Sequence, residues 1–358
     1  MAANPSPAPY RQAPMLHPVQ IAAFPGLRAL AWSNDVLYAS RGYSLLRARI
    51  QTHSDIRWEP AGTYRPNFPR TFTSSFRLTA RLFRDGFHAL AVLHSGHLIG
   101  AIPHVIVTLK PGEADFLPSH HVLRGTRPLH FAVTPNDHVF WGEYFDNPRR
   151  DEVHIYVSTD KGGYWEVAHT FAKGAIRHVH NIVYDEFENC LWILTGDNGS
   201  ECRILRASCD FKTMDEVLSG NQQTRSAALV PTRGALYFSS DTPLENNYVY
   251  RLDRGGNVTR VTNLESSSIY GCRVGDAIFF STMVEPSAVN PTRSVFLYGS
   301  AEGADWYKLA HWNKDPWPMK FLQYGNAFLP DGRNIAGLLA VTTIAVAPGD
   351  LETSLWRL

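Results

Sequence analysis

The chain has 358 residues, of which 44% are hydrophobic, and a formal net charge of +1. This charge balance gives no electrostatic reason to expect nucleic acid or an anionic membrane as a partner. No apolar run approaches the roughly 20 residues that a membrane-spanning helix needs, and 26 Gly with 23 Pro favour a fold with many turns. We expect a monomer whose partner is neither nucleic acid nor a membrane.

Residues 1–18 are rich in proline and predict an N-terminal extension, which is followed by a single domain over residues 19–358. The extension lacks the basic start and the apolar segment of a secretion signal. The sequence therefore predicts a cytoplasmic protein, or a secreted or periplasmic one whose leader has been removed.

Strand-like runs recur in groups at a spacing of about fifty residues, with Gly, Asn, Asp or Pro between them. The groups cover residues 27–58, 76–122, 129–165, 177–217, 224–261, 269–309 and 321–358. The last group has only three strands, and residues 19–24 can supply its outer strand. The pattern predicts an all-β protein, a seven-bladed β-propeller with four-stranded antiparallel blades, closed by an N-terminal strand. Six blades plus an extra hairpin is the alternative.

Residues 158–165 follow an alternating strand and fit the pattern S-x-D-x-G-x-x-W. Asp160 can accept hydrogen bonds from the turn, Gly162 supplies a positive φ, and Trp165 folds back as an apolar lid. Eroded copies lie at residues 54–58, 208–210 and 300–306. The motif resembles the Asp-box of sialidase-like (BNR-repeat) β-propellers. This resemblance implies the propeller fold but places the motif on a blade edge, away from the chemistry.

Polar residues recur where the first strand of each blade begins. In a propeller these starts share one face with the connections between second and third strands, so both sets converge there. The strand starts of blades two to seven contribute Arg77, His130, His180, Arg225, Tyr270 and Tyr324, and Arg177 with His178 precede His180. The connections, with Gln223 near the fifth blade's entrance, contribute Glu143, Asp197, Asp241, Asn246 and Glu285.

Arginine binds carboxylates through its planar fork, so this ring predicts an anionic saccharide, such as a uronate, as substrate. The first predicted reaction is β-elimination, in which Arg225, helped by Arg77 or Arg177, neutralises the carboxylate. His180 or His130 would remove the C5 proton, and Tyr270 would protonate the leaving oxygen. The mixture of His, Arg and Tyr resembles that of propeller-fold polysaccharide lyases.

Two other functions compete with elimination. Residues 76–79, Phe-Arg-Leu-Thr, resemble the F-R-I-P element of sialidases, which would imply a glycoside hydrolase using Tyr270 or Tyr324 with Glu285 or Glu143. A non-catalytic propeller that binds glycan or protein is the third reading.

No cofactor is required by any of these functions. One alternative is a divalent metal held by His178, His180 and Gln222 or Gln223, because some propeller lyases use H-x-H plus Gln.

Overall fold

The computed structural model describes residues 16–50 and 55–358. Most of the predicted extension, and Ser54 of the eroded hairpin at 54–58, lie outside these residues. The described chain forms seven sheets in a ring, each built on four antiparallel strands. The seven-bladed prediction is therefore confirmed, and the six-bladed alternative is wrong.

The strands follow the ring in chain order. Strand β1 (Val19–Pro25) belongs to the last blade. Blade 1 contains β2 (Arg28–Asn34), β3 (Val36–Arg41), β4 (Ser44–Arg49) and β5 (Glu59–Thr63). Blade 2 contains β6 (Ala89–Val92), β7 (Leu98–Ile102), β8 (Val105–Leu109) and β9 (Leu117–His121). Blade 3 contains β10 (Ala132–Val133), β11 (Val139–Gly142), β12 (Val153–Ser158) and β13 (Glu166–Phe171).

The second half of the ring repeats this arrangement. Blade 4 contains β14 (Val179–Asp185), β15 (Cys190–Thr195), β16 (Arg203–Ser208) and β17 (Met214–Ser219). Blade 5 contains β18 (Ser226–Pro231), β19 (Ala235–Ser240), β20 (Asn247–Asp253) and β21 (Val258–Leu264). Blade 6 contains β22 (Ser268–Val274), β23 (Ala277–Thr282), β24 (Ser294–Ser300) and β25 (Tyr307–Lys314).

Blade 7 joins the two ends of the chain, as the sequence predicts. From the inside outwards it contains β26 (Asn326–Phe328), β28 (Leu338–Ile344), β30 (Glu352–Arg357) and β1. Strand β1 pairs antiparallel with β30, with Val19 opposite Arg357. Two short strands extend neighbouring sheets: β27 (Asp331–Asn334) runs parallel to β2, and β29 (Val346–Ala347) pairs with β25.

The core lies between adjacent blades. The second strand of a blade is covered on both faces, and β15 and β23 are buried at all six positions. Strands covered on both faces have near-continuous apolar sequences, and these two are mostly apolar. The fourth strand faces solvent, and β21 is correspondingly polar and largely exposed. Between blades 3 and 4, Phe140, Ile155 and Ile193 belong to one buried cluster.

The hairpin at residues 158–165 has the hydrogen bonds that its sequence predicts. The Ser158 hydroxyl donates to Asp160 Oδ1 (2.9 Å) and accepts from Gly162 N (2.8 Å), and Asp160 Oδ1 also accepts from Tyr164 N (2.9 Å). Gly162 has φ +86°, and Trp165 is 6% exposed. The eroded copy at 208–210 keeps the same Ser-to-Asp bond at 2.7 Å.

A helical insertion separates blades 1 and 2, and it corrects one prediction. Asn67 caps α1 (Phe68–Ser74) by accepting from Arg70 N at 3.2 Å, and α2 (Arg77–Phe83) follows. Arg77 therefore begins a helix, and the inner strand of blade 2 begins at Ala89. The placement of Arg77 at a strand start is wrong, and the similarity of residues 76–79 to the sialidase element fails with it.

The remaining helices are short: α3 (Met319–Leu322) and two 3₁₀ turns at Gly199–Glu201 and Gln222–Thr224. Helix α2 packs near α3 and blade 7, since Arg77 donates to both carboxylate oxygens of Asp350 at 2.9 and 2.7 Å. Among the described residues, no helix combines the length and apolar character needed to cross a bilayer.

Candidate functional site

The inner strands of the seven blades surround a central channel and begin at the same end of it. We call this end the mouth. The connections between second and third strands reach the same end, because strand direction alternates within each antiparallel blade. Two groups of polar side chains lie there, one on blades 4 to 6 and one centred on blades 1 to 3, which Tyr270 of blade 6 also borders.

The first group is the histidine cluster, formed by His178, His180 and Asp197. The two histidines flank Val179 at the start of β14, where alternate residues share one face, and Asp197 follows β15. Their Nε2 atoms are 3.0 Å apart. Asp197 Oδ1 lies 3.5 Å from His178 Nε2 and 3.4 Å from His180 Nε2. His178 and His180 are each 4% exposed, and Asp197 is 9% exposed.

Backbone carbonyls fix the tautomer of both rings. His178 Nδ1 lies 3.1 Å from the carbonyl of Phe145, and His180 Nδ1 lies 3.0 Å from the carbonyl of Ser226. A carbonyl only accepts, so each Nδ1 carries the hydrogen and each neutral ring presents a lone pair at Nε2. Two nitrogen lone pairs and a carboxylate oxygen therefore converge on one point.

Two arginines also contact the Asp197 carboxylate, one at each oxygen. Arg177 Nη1 lies 3.2 Å from Oδ2 and Arg225 Nη2 lies 3.3 Å from Oδ1. Arg225 also lies 3.9 Å from Asp241 Oδ2. Burial, partly offset by Arg225 and reinforced by the charge of Glu285, raises the pKa of Asp241 to about 7. Asp241 can therefore give or take a proton near neutral pH.

The second group contains the arginine cluster, which is Arg28 at the start of β2, Arg84 after α2 and Arg127 before β10. None of the three forms an ion pair with a described residue, and the buried Nε atoms of Arg28 and Arg127 have no hydrogen-bond partner among them. Burial lowers the pKa of Arg28 to about 10. Burial and the charges of Arg28 and Arg84 lower the pKa of Arg127 to about 9.

His88 and His130 lie beside these arginines with defined tautomers. His88 Nε2 is 3.0 Å from the carbonyl of Arg84, so its Nδ1 accepts from Arg28 Nη1 at 3.1 Å. Burial and the neighbouring arginines hold the pKa of His88 well below its usual range. His130 Nδ1 lies 3.0 Å from Asp331 Oδ2, so Nδ1 is the donor and Nε2 of the neutral ring is a free acceptor.

A small cavity lies at the centre of this second group, and two tyrosines connect the groups. The cavity is lined in part by Arg28, His88, His130, Tyr270, Phe328 and Asp331. The ring of Tyr270 is 6.0 Å from His130, and burial raises its pKa to about 12. Tyr144, whose ring is 4.3 Å from His178, also has a pKa raised by burial to about 12.

The structure thus brings most of the predicted residues to the mouth, in two groups. His178, His180, Asp197, Arg177, Arg225, Asp241 and Glu285 lie on the blade 4 to 6 side. His130 and Tyr270 lie in the group on the opposite side. The catalytic roles assigned to these residues from the sequence stay predictions.

Other predicted residues have different surroundings. Gln223 bonds to Glu245, to the Asn246 carbonyl and to Tyr250, so the proposed His178–His180–Gln223 metal set is wrong. Gln222 donates to the Asp197 carbonyl instead, at 2.8 Å.

Three further candidates are not part of either group. Glu143 is buried in a pair with Arg124 and accepts from His154 N at 2.8 Å, which is a structural role. Asn246 is exposed. Tyr324 precedes β26 and is 39% exposed.

Sequence reasoning missed Arg28, Arg84, His88 and Asp331. Arg28 does start an inner strand, directly after Gly26 and Leu27, so the repeat phase could have found it. Asp331 belongs to β27, an addition to blade 1 from the far end of the chain. Asp331 has no counterpart in the other blades, and its position depends on the pairing of β27 with β2 where the ring closes.

A depression on the opposite face is lined by Glu186, Phe187, Glu188 and Arg233. It is wide and polar, but its acidic groups are paired, Glu186 with Arg273 and Glu188 with Arg206. The mouth is the better candidate site, because there the buried Nε atoms of Arg28 and Arg127 have no hydrogen-bond partner among the described residues.

Comparison with known proteins supports the fold and goes no further. A chain of the mitotic checkpoint complex is similar to this one, with a TM-score of 0.58, 10% identity and 99% of both chains covered. The WD40 β-propeller domain of Doa1 gives 0.57, 10% and 94% of both chains. A chain of a nidogen/laminin complex gives 0.51 and 12%, covering 81% of this chain and 95% of that one.

The chain has the fold of a β-propeller. No family model and no curated protein matches its sequence. The sialidase-like superfamily suggested by the hairpin motif is thus without a sequence match. At these identities the likeness shows architecture alone, so function has to be argued from the mouth of this propeller.

Proposed function

We propose that the mouth of the propeller binds an anionic saccharide through a uronate carboxylate and cleaves it by β-elimination. The observation that carries this proposal is the arginine cluster. Three guanidinium groups lie together and form no ion pair with any residue that the structure describes, and one of them, Arg28, is 9% exposed. Buried cations without a counter-ion are costly, and a carboxylate ligand would supply the missing charge and hydrogen bonds.

Arg28 and Arg127 are assigned to the substrate carboxylate. Neutralising this group makes the proton on the adjacent C5 more acidic, because negative charge that develops on removal of the proton is stabilised. Arg225, the residue predicted from the sequence for this role, is already engaged with Asp197 and Asp241. The free arginines are therefore better placed to receive a new anion.

His130 is assigned as the base and Tyr270 as the acid. Asp331 holds His130 in the tautomer that leaves Nε2 free, and Nε2 takes the C5 proton. The electron pair of the C–H bond forms the C4–C5 double bond, and the C4–O bond breaks. Tyr270 donates its proton to the leaving oxygen, and its raised pKa keeps it protonated at neutral pH. His180, the other base predicted from the sequence, belongs to the histidine cluster and is not assigned to this proton transfer.

The test is incubation with uronate polysaccharides while ultraviolet absorbance is recorded. Elimination produces a conjugated unsaturated uronate that absorbs, whereas hydrolysis produces reducing ends without this absorbance. We expect absorbance to rise with the wild-type protein and to be lost in His130→Gln and Tyr270→Phe. His311→Gln and Tyr248→Phe, outside the mouth, are the matched controls. Reducing ends without absorbance would indicate a hydrolase and contradict elimination.

A binding platform is the second candidate function, and the helical insertion favours it. Large apolar side chains of α1 and α2 are exposed, among them Phe68 at 83% and Phe72 at 57%. Exposed apolar patches of this kind mark interaction surfaces. The similar chains from the nidogen/laminin and mitotic checkpoint complexes come from structures of protein assemblies. Saccharide binding in the absence of any new reducing end or absorbance would favour this candidate.

A further inference from the structure

The histidine cluster presents an arrangement of atoms that needs a positive charge at its centre. His178 Nε2, His180 Nε2 and Asp197 Oδ1 are separated by 3.0, 3.5 and 3.4 Å. With both Nδ1 atoms donating to carbonyls, three acceptors face one another. Lone pairs at 3.0 Å repel unless a proton or a metal ion lies between them.

We propose that His178, His180 and Asp197 bind a divalent transition-metal ion, with zinc as the best fit. Bonds of about 2.0–2.1 Å in tetrahedral geometry place neighbouring ligand atoms about 3.3–3.4 Å apart. The observed separations bracket this value. Two imidazoles and one carboxylate form a ligand set that suits zinc better than harder cations such as magnesium, which favour oxygen ligands.

The surroundings of the cluster match those of known metal ligands. A histidine that binds a metal through one nitrogen usually donates its other N–H to a carbonyl or carboxylate, which orients the ring. Both rings do so here, with partners at 3.1 and 3.0 Å. Arg177 holds Asp197 Oδ2 at 3.2 Å, and Arg225 lies 3.3 Å from Oδ1, the oxygen that faces the two histidines. The site is therefore rigid before any ion enters.

The charge around the cluster tolerates a divalent ion. Arg177 and Arg225 are the cations closest to Asp197, and Asp197, Asp241 and Glu285 are the nearby acids. Three protein ligands leave a fourth coordination position for water or a ligand, as in catalytic zinc sites. This inference goes beyond the proposed function, because no role of Arg28, Arg127, His130 or Tyr270 depends on the ion.

The first experiment measures zinc binding to the wild-type protein. The full chain is dialysed against a chelator, returned to chelator-free buffer and titrated with zinc chloride in a calorimeter, and its metal content is measured after gel filtration. We expect one zinc ion per chain and a rise in the melting temperature with zinc, since binding stabilises the folded state. A wild-type protein that retains no zinc would overturn the proposal and indicate a shared proton instead.

The second experiment locates the ion. His180→Gln and Asp197→Asn should weaken zinc affinity by at least about tenfold, the loss typical of disturbing a metal site. His311→Gln, an exposed histidine on β25, should bind as the wild type does. Cobalt supplies an independent signal, because tetrahedral cobalt with these ligands has visible absorption bands that the two variants should lose. Unchanged zinc affinity in both variants would show that the ion, if present, is elsewhere, and the proposal would fail.

The two proposals fail separately. Zinc binding is read by calorimetry and visible spectra without substrate, whereas elimination is read by the product. A protein that binds zinc but leaves uronates intact keeps this inference and loses the proposed function. A protein that cleaves uronates without stoichiometric zinc does the reverse.

Discussion

Arg81 of α2 forms a buried ion pair with Asp315, with Nη1 and Oδ2 2.6 Å apart. Arg81 is 3% exposed and Asp315 is 4% exposed, and the remaining Arg81 donors bond to the carbonyl of Leu322. Asp315 follows the outer strand of blade 6. The pair therefore fixes the helical insertion, which leaves the ring between blades 1 and 2, to the segment that links blades 6 and 7.

Replacing Arg81 with Met should destabilise the protein by about 3 kcal/mol, because the substitution leaves a buried carboxylate without one of its partners. Removing one partner of a buried ion pair usually costs about 3–5 kcal/mol. Lys314 also bonds to Asp315 and remains in the variant, so we expect the lower value. Urea denaturation measures the change. The control is Arg65→Met, whose pair with Asp115 is exposed and contributes at most about 1 kcal/mol. Equal losses in the two variants would contradict the role of burial.

The raised pKa of Asp241 predicts a pH effect on stability. Its pKa is about 7 in the folded protein and about 3.9 when unfolded. Between these values the folded state holds a proton that the unfolded state has released, so the free energy of unfolding falls as pH rises.

Asp241→Asn removes this dependence. The free energy of unfolding of wild type should fall over this range while that of the variant does not. The difference between them should therefore shift in favour of the variant by about 2 kcal/mol from about pH 5 to about pH 8. Asp305→Asn, an exposed site, is the control. Urea unfolding at both pH values measures the difference, and parallel pH curves for wild type and Asp241→Asn would argue against the assignment.

The hairpin at residues 158–165 fastens blade 3 to blade 2, and Gly162 is its contact point. The Thr108 hydroxyl donates to the Gly162 carbonyl at 3.0 Å. A Cβ on Gly162 would lie 2.6 Å from Ile99 Cδ1, whereas one on Gly174 would meet no atom within 4 Å. Both glycines have positive φ, +86° and +88°.

Gly162→Ala should therefore cost about 3 kcal/mol, from backbone strain plus the clash, and Gly174→Ala about 1 kcal/mol from strain alone. Thermal and urea unfolding of the two variants give the comparison. If the two substitutions cost the same, the hairpin does not press on blade 2 as described.

Asp331→Asn tests whether Asp331 positions His130. An amide can donate to Nδ1 and so favour the wrong tautomer, in which Nε2 carries the hydrogen and cannot act as a base. If uronate elimination is confirmed, we expect kcat to fall by at least about a hundredfold, within the usual contribution of general-base catalysis, with little change in KM. The pH profile of kcat should shift as well. A loss confined to stability, with an unchanged profile, would show only a structural role.

The sequence alone predicts the ring well, because the repeat is a local property of each blade. The turns, the alternation of strands and the hairpin at Ser158 depend on residues that are close in the chain. Repeat phase wrongly predicts that residues 76–79 begin a strand, although Asn67 followed by Phe68 and Pro69 is a helix-start pattern. A repeat-based reading forced residues 76–79 into the phase of a blade.

The mouth was predicted in outline and not in its pairings. Repeat phase brings His180, Arg225 and Asp197 to one face, which the structure shows. Repeat phase cannot show which arginines form ion pairs with acidic side chains. Arg225 is paired with Asp197, whereas Arg28 forms no ion pair within residues 16–50 and 55–358, and that difference depends on side chains from separate blades.

The pairing of β1 with β30 makes blade 7 the clasp of the ring. The four main strands of each other blade come from one continuous stretch of chain, whereas blade 7 combines strands from both ends of the described chain. Strand β1 has no fully buried side chain, and besides its ladder it is held by Ala22 and Phe24, which are only partly buried against the core. Opening of the native state should begin where β1 pairs with β30. Backbone amides of β1 should therefore exchange hydrogen faster than those of the other outer strands.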